Sequence, residues 1–251
     1  MEERMESYYH LAEYYDMLMD DIDYNVWCSF IEEIFQIYGS QPHNILETAC
    51  GTGNITIPMA LKGYNLLGVD ISEEMLTIAE NKARSKKLNI KFIKQNMTEL
   101  TLNMSFDAVL CMCDGVNYII EEDELYKYFS TVHHLLNTDG VFIFDISSSY
   151  KLRRILGNNI LFQEKNDFCY IWENNFFEED ELLEMRLNFF IPQRGLYKRL
   201  EEFHIQRAYT EEQLIRLLAE AGFKNIRTYD NLKMKKPHNR SERIFVTAQK
   251  L

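Results

Sequence analysis

The residues of this chain best suited to chemistry stand in one run, Glu47-Thr48-Ala49-Cys50-Gly51-Thr52-Gly53, and Asp70 follows seventeen residues after the second glycine. Glycines in a turn let the backbone approach a ligand closely, because they carry no Cβ. That feature serves several ligand classes, and neighbouring residues argue against two of them. A dinucleotide-binding turn needs a further glycine three positions after Gly53, where this chain has Thr56; a phosphate-binding loop needs Gly-Lys-Ser/Thr, which the chain lacks. Glu47 adds an electrostatic criterion. An acid at the strand end just before the turn repels a pyrophosphate and attracts a ligand that carries an ammonium group.

Such residues need strands that end where they stand. Apolar residues recur at helical spacing between 6 and 38 (Leu11, Tyr14, Tyr15, Leu18, then Trp27, Phe30, Ile31, Ile34, Phe35), predicting two helices that end before Gly39 and Pro42. A short buried strand over 44–47 leads into the glycine-rich turn, which opens a helix over 54–62. A strand over 66–70 ends in Asp70, and Ser72 caps a helix running to about 86, with Glu73 and Glu74 in its first turn. Strands over 90–94 and 106–113, a helix over 122–136, a turn at Asp139-Gly140 and a strand over 141–145 continue the alternation. This pattern predicts an α/β fold, doubly wound and Rossmann-like, with a mostly parallel sheet and a binding crevice at the carboxyl ends of its strands.

After Ser149 the pattern changes. Tyr170, Trp172, Asn174 and Phe176 alternate along one run, and Leu183, Met185, Leu187, Phe189 and Ile191 along the next, as in an inserted antiparallel β meander. A helix over 210–221 and strands over 224–229 and 243–248 close the chain. Residues 1–149 and 206–251 are expected to form one ligand-binding domain with amino-terminal lid helices, and 150–205 an inserted β subdomain. The insert is aromatic (Phe162, Phe168, Phe177 and Phe190 besides those above), which suits either a substrate lid or a dimer surface.

The run from Ile45 to Asn54 resembles the first motif of the class I S-adenosylmethionine-dependent methyltransferases, with the small residue at Ala49 and both core glycines, Gly51 and Gly53. The resemblance implies that S-adenosylmethionine is the cofactor and that Glu47, Ala49 and Cys50 line its site. It implies that Asp70 accepts both ribose hydroxyls, a task suited to two acceptor oxygens with no donor. Ile71 and Met75 would flank the adenine, although Met75 fits equally a core position on an amphipathic helix. At the end of the third strand the family has an acid that takes the adenine amino group; here Asn96 stands there, followed by Met97, and its carbonyl could accept the same bond without charge. Cys111-Met112-Cys113-Asp114-Gly115-Val116-Asn117-Tyr118 resembles the segment between cofactor and acceptor. Cys113 would then contribute backbone to the cofactor, and Asp114, Asn117 and Tyr118 would face the acceptor as catalytic residues, unless the last two only cap the next helix.

Tyr14-Tyr15-Asp16-Met17-Leu18, then Tyr24-Asn25-Val26-Trp27, and the inserted meander are similar to a bacterial subgroup of small-molecule methyltransferases, including sugar-amine N-methyltransferases. That likeness implies lid helices over the cofactor, with Tyr15 at its methionine end and Trp27 nearby. Arg207 and Tyr209, on the insert's last strand, are candidates to anchor a substrate, and His204 lies with Glu202 and Gln206 on a polar face of it. The chemistry implied is in-line transfer of a methyl group from a sulfonium, which needs alignment and desolvation and no metal; if an amine is the acceptor, Asp114 or a histidine could take its proton.

Composition bounds the partners. With 46% apolar and 26% charged residues, the 251-residue chain can bury a full core. A formal charge of -12 opposes non-specific binding of nucleic acid or anionic membrane. The local exception is 224–243, where seven Lys or Arg meet two acids. The five cysteines form no metal-binding spacing and read as reduced thiols; the charged amino terminus and the lack of a long apolar run predict a cytoplasmic protein. A small-molecule acceptor and a monomer or homodimer are expected. The alternatives are methylation of protein or tRNA, an inactive S-adenosylmethionine-binding protein, and, less favoured, a dinucleotide oxidoreductase.

Overall fold

The computed structural model describes residues 12–165 and 168–251. The part of the amino-terminal helical expectation that covers 6–11 lies outside the described residues. Among the described residues two helices precede the first strand: α1, Ala12–Leu18, and α2, Tyr24–Ile37. Asp23 starts α2 by accepting the Asn25 N–H, and Trp27, Phe30, Ile31, Ile34 and Phe35 form its buried stripe.

The α/β grammar then runs β1 (Asn44–Thr48), α3 (Thr56–Leu61), β2 (Asn65–Asp70), α4 (Glu73–Ser85), β3 (Lys91–Lys94), β4 (Phe106–Cys111), α5 (Glu122–Leu135) and β5 (Leu136–Ser147). Four antiparallel strands follow, β6 (Ile160–Lys165), β7 (Phe168–Phe177), β8 (Leu182–Gln193) and β9 (Leu196–Arg207). Then come α6 (Glu211–Glu220), β10 (Lys224–Asp230) and β11 (Arg243–Gln249).

The main sheet has seven strands in the order β10-β11-β5-β4-β1-β2-β3. Strands β1 to β5 pair in parallel, and β11 and β10 add an antiparallel edge. The strand order reverses between β1 and β4, so their carboxyl ends diverge and leave a crevice at that point. Its core consists of near-continuous apolar strands, as expected where helices cover both faces.

Two local departures from sequence periodicity have physical causes. Strand β5 begins at Leu136, five residues before the predicted start. Asp139, with φ of 63°, lies within it, and its pairing with β4 shifts register between Phe106 and Ala108. The predicted helix over 54–62 starts only at Thr56, because the glycine-rich turn keeps residues 51–55 non-helical.

The second sheet has the order β6-β7-β8-β9, with every neighbouring pair antiparallel. Phe168, Tyr170, Phe176, Leu183, Met185, Leu187 and Phe189 form its apolar core, against which Tyr14, Tyr15 and Leu18 of α1 pack. Phe162 and Phe177 are exposed. No helix of the described residues is long and apolar enough to cross a membrane.

Candidate active site

A cavity of about 320 Å³ opens at the carboxyl ends of β1, β2 and β4. It is the crevice that the strand-order reversal creates. Of the residues singled out in the sequence, Tyr15, Glu47, Ala49, Cys50, Gly51 and Asp70 line it, as do Ile71, Met75, Asn96, Met97, Cys113 and Tyr118.

Asp70 is oriented before any ligand arrives. One carboxylate oxygen accepts the Gly51 N–H at 2.7 Å and the other the Ser72 N–H at 2.9 Å. Each oxygen keeps a lone pair for a further donor. Burial raises its pKa, opposed by these backbone N–H groups.

Glu47 is 2% exposed, and its carboxylate accepts the Thr56 hydroxyl. Burial, with Asp70 nearby, pushes its pKa up to about 8 against the pull of that bond. A positively charged ligand beside it would reverse the shift.

The turn itself is backbone-strained where it meets the cavity. Ala49 adopts φ of 51°, a left-handed conformation uncommon for a residue with a Cβ. After β4, Cys113 and Asp114 are both left-handed, with φ of 59° and 55°. The Asp145 carboxylate holds that pair by accepting the Cys113 N–H at 2.7 Å and the Asp114 N–H at 3.1 Å. Such strain persists only where surrounding groups over-determine it. Gly115 follows because a Cβ there would meet the Cys111 sulfur at 2.9 Å and the Ala49 Cβ at 3.0 Å.

Six of the singled-out residues lie elsewhere. Gly53 packs a helix: a Cβ on it would press on Ile57 at 3.2 Å and Ala79 at 3.3 Å. Trp27 is buried edge-on to Phe245, with the Arg243 guanidinium 5.2 Å from its ring centroid. Asp114 pairs with Arg243 at 2.9 Å and accepts from the Gln206 amide at 2.9 Å. Burial would raise its pKa, but Arg243, Lys151 and Gln206 outweigh it and hold the carboxyl below the usual range, which makes it a weak base. Asn117 is fully buried, donating to the Ser147 and Arg207 carbonyls and accepting the Ser147 N–H; it staples the loop to two strands. Arg207 donates to the Ile120 carbonyl and stacks on Tyr209, whose hydroxyl donates to the Ile119 carbonyl. Asp114, Asn117, Arg207 and Tyr209 therefore build the loop that carries Tyr118 and do not line the cavity.

The alternation on β9 has the opposite sense to a solvated polar face. Glu202, His204 and Gln206 are all buried, and the last two meet the Tyr118 and Asp114 side chains. His204 Nδ1 lies 3.3 Å from the Tyr118 hydroxyl, and the rings meet edge to face. Burial pushes His204 down to about 4, so the imidazole is neutral at pH 7.

Sequence reasoning gave no role of their own to Tyr24, Asn54, Met112 and Glu124, which also line the cavity. A tyrosine on an amphipathic helix carries no signal that separates it from core. It also missed the tether of α1. The Asp16 carboxylate accepts from the Thr52 hydroxyl at 2.6 Å and the Asn54 amide at 2.9 Å, and pairs with Lys82 at 2.6 Å. Lys165 joins the same helix to β6 through the Met17 carbonyl at 3.2 Å and Asp20.

Residues 45–140 match the model of a methyltransferase domain. A candidate methyltransferase of Geobacillus sp. strain WCH70 is 37% identical over 246 residues, covering 97% of this chain and all of that one. The glycine/sarcosine N-methyltransferase of Aphanothece halophytica is 29% identical over 191 residues, 74% of this chain and 68% of that protein. The crystal structure of an S-adenosylmethionine-dependent methyltransferase from Clostridium acetobutylicum superposes with a TM-score of 0.88 at 39% identity, over 94% of this chain and 96% of that one. The chain belongs to the class I S-adenosylmethionine-dependent methyltransferases.

Proposed function

We propose that this methyltransferase acts on a small-molecule acceptor and binds S-adenosylmethionine in the crevice between β1 and β4. When bound, the cofactor supplies a sulfonium-activated methyl group to a nucleophile in line, and a neutral thioether leaves. The residues fit that ligand: Asp70, held by two backbone N–H groups, is placed for the ribose hydroxyls, and the buried Glu47 for the ammonium. Ile71, Met75 and Met97, which line the cavity, would hold the adenine. Asn96 would contribute less than an acid, since its amide oxygen carries no charge; that oxygen accepts the Thr98 N–H at 3.1 Å and keeps one lone pair for a further donor. Tyr15 and Cys113, also in the lining, would hold the methionine end.

The observation that carries the small-molecule reading is the cover over the acceptor side. Tyr118 stands between the cavity and His204 of β9, whose buried neighbours close that side with side chains and not with an open basic groove. A polymer would need an open approach and, for RNA, a favourable field, which a charge of -12 does not supply. The glycine/sarcosine N-methyltransferase among the relatives supports the same reading by its name. Tyr118 is the residue of the predicted catalytic set that reaches the cavity, and neutral His204 orients its hydroxyl. Neither Asp114, held as a charged partner of Arg243, nor His204, with its lowered basicity, acts as general base; an amine acceptor arrives neutral.

The test is release of S-adenosylhomocysteine when the protein is given S-adenosylmethionine and, separately, a panel of small amines and hydroxylated compounds, bulk tRNA, or a protein extract. Turnover is expected with a member of the small-molecule panel. Turnover with tRNA or protein alone would overturn the reading.

A further inference from the structure

The register of the four-stranded sheet places Asn174 of β7, Met185 of β8 and His204 of β9 in one row across its inner face, and Trp172, Leu187 and Glu202 in the next. On either side β7 turns apolar, to Phe176 and Tyr170, and both ends of the face are covered. Leu152 and Leu156, from the segment after β5, share the core with Phe176, and α1 meets the other end, where the Tyr14 and Phe168 rings lie 6.3 Å apart. A face that served only to bury apolar surface would be apolar throughout. These two middle rows instead hold an amide, an imidazole, an indole N–H and a carboxyl group. They begin at the crevice, because His204 Nδ1 lies 3.3 Å from the hydroxyl of Tyr118, which lines the cavity.

Two polar groups of this band stand without a partner. The Asn174 side-chain oxygen and the Trp172 indole N–H are buried, and among the described residues neither makes a hydrogen bond. Both are nonetheless held in place. The Asn174 amide nitrogen donates to the Asn159 carbonyl at 3.2 Å, which leaves the oxygen as the free end, and the Trp172 ring packs against the apolar core of the same face. Buried polar groups are rarely left unpaired, because they lose their water without recompense. Two such groups on one face of one strand, about 7 Å apart along the backbone, therefore call for a ligand. Their chemistry restricts it, since one is only a donor and the other only an acceptor. A carboxylate could take the N–H but has no proton for the oxygen, and an ammonium could serve the oxygen but accepts nothing. A hydroxyl both donates and accepts.

We infer that Asn174 and Trp172 form a subsite for a neutral, hydroxylated part of the acceptor molecule, the Trp172 N–H donating to a hydroxyl oxygen and the Asn174 oxygen accepting a hydroxyl proton. This rests on the acceptor being a small molecule that lies against Tyr118. The experiment is an NMR titration of isotope-labelled protein saturated with S-adenosylhomocysteine, following the indole N–H resonances of Trp27 and Trp172, the two tryptophans of the chain. The probes are serinol and isopropylamine, which share one carbon skeleton and differ by two hydroxyls. Serinol should move the Trp172 resonance and not that of Trp27, and bind about twentyfold more tightly than isopropylamine, as expected for two neutral hydrogen bonds. Asn174→Leu and Trp172→Phe should each remove about fivefold of that preference. Asn174→Leu replaces an unpaired oxygen with an apolar group of similar shape, so its thermal midpoint should not fall below that of wild type. Equal affinity for the two probes in wild type, or a serinol preference that survives in both variants, would overturn the inference, as would a Trp172 resonance that neither probe moves. Those results leave the small-molecule reading standing, because it is decided separately by S-adenosylhomocysteine release in the acceptor panel; turnover there with tRNA or protein alone would bring down both.

Discussion

In the seven-stranded sheet, Asp70 is fixed by two backbone N–H groups, and Asp145 by two more and by Arg243. On the inner face of the four-stranded sheet, Asn174 is buried with its side-chain oxygen unpaired, and the Trp172 indole N–H is unpaired as well. The first arrangement is pre-organised for a ligand that every member of the family shares. The second leaves polar groups unpaired on the sheet face that also carries His204, since Asn174 pairs with Met185 and Met185 with His204. Groups fixed by local backbone bonds are rigid before a ligand arrives, whereas unpaired ones are not.

The largest effect should come from breaking the rigid side. Arg243→Met would leave Asp145 buried without its cation, and we expect a loss of about 3–5 kcal/mol in denaturant unfolding. A loss below about 1 kcal/mol would mean that the backbone N–H groups alone suffice, and the contrast with the insert would weaken. Next, Leu183→Ala in the core of the insert should cost about 3 kcal/mol, while S-adenosylhomocysteine affinity stays within about twofold, equivalent to less than 0.5 kcal/mol. A large loss of affinity would show that the two halves are not separable.

A pH experiment bears on Glu47. Its carboxyl is raised by burial to about 8 in the fold, against about 4.5 unfolded, so between those values the native state holds a proton that the unfolded chain has lost. Stability of the ligand-free protein from this group is therefore complete at low pH and declines as pH rises through that window. Glu47→Gln should flatten the decline between pH 5 and 8.5, measured by urea unfolding; parallel curves for the two proteins would remove Glu47 from the account. The smallest effect is expected from Lys82→Met. The Asp16–Lys82 pair is partly exposed, so it should contribute only about 0.5 kcal/mol to stability. Loosening of α1 should instead appear as faster hydrogen exchange over 14–18, and unchanged exchange there would discount the tether.

The cavity lining at β1 and β2 was legible in the sequence because its signals are local. Glu47 and Asp70 sit at strand ends that the hydrophobic pattern locates, and the turn that carries Gly51 is one contiguous run. The acceptor half was not, for two reasons. Partners there come from far along the chain: Asp114 is neutralised by Arg243, and Asn117 is bound by Ser147 and the Arg207 carbonyl. No spacing rule reports such pairs. Alternation on β9 separates two faces without stating which one points inward, and Glu202, His204 and Gln206 point inward where polarity alone suggests water.

The claim on which the rest depends is that the β1–β4 crevice holds the cofactor through Asp70. The most direct test is calorimetric titration of wild type and Asp70→Ala with S-adenosylhomocysteine, with NAD as the control ligand. We predict micromolar binding to wild type, a loss of about 2 kcal/mol in the variant through removal of a charge-assisted contact, and no binding of NAD. Unchanged affinity in a folded Asp70→Ala protein would contradict the claim.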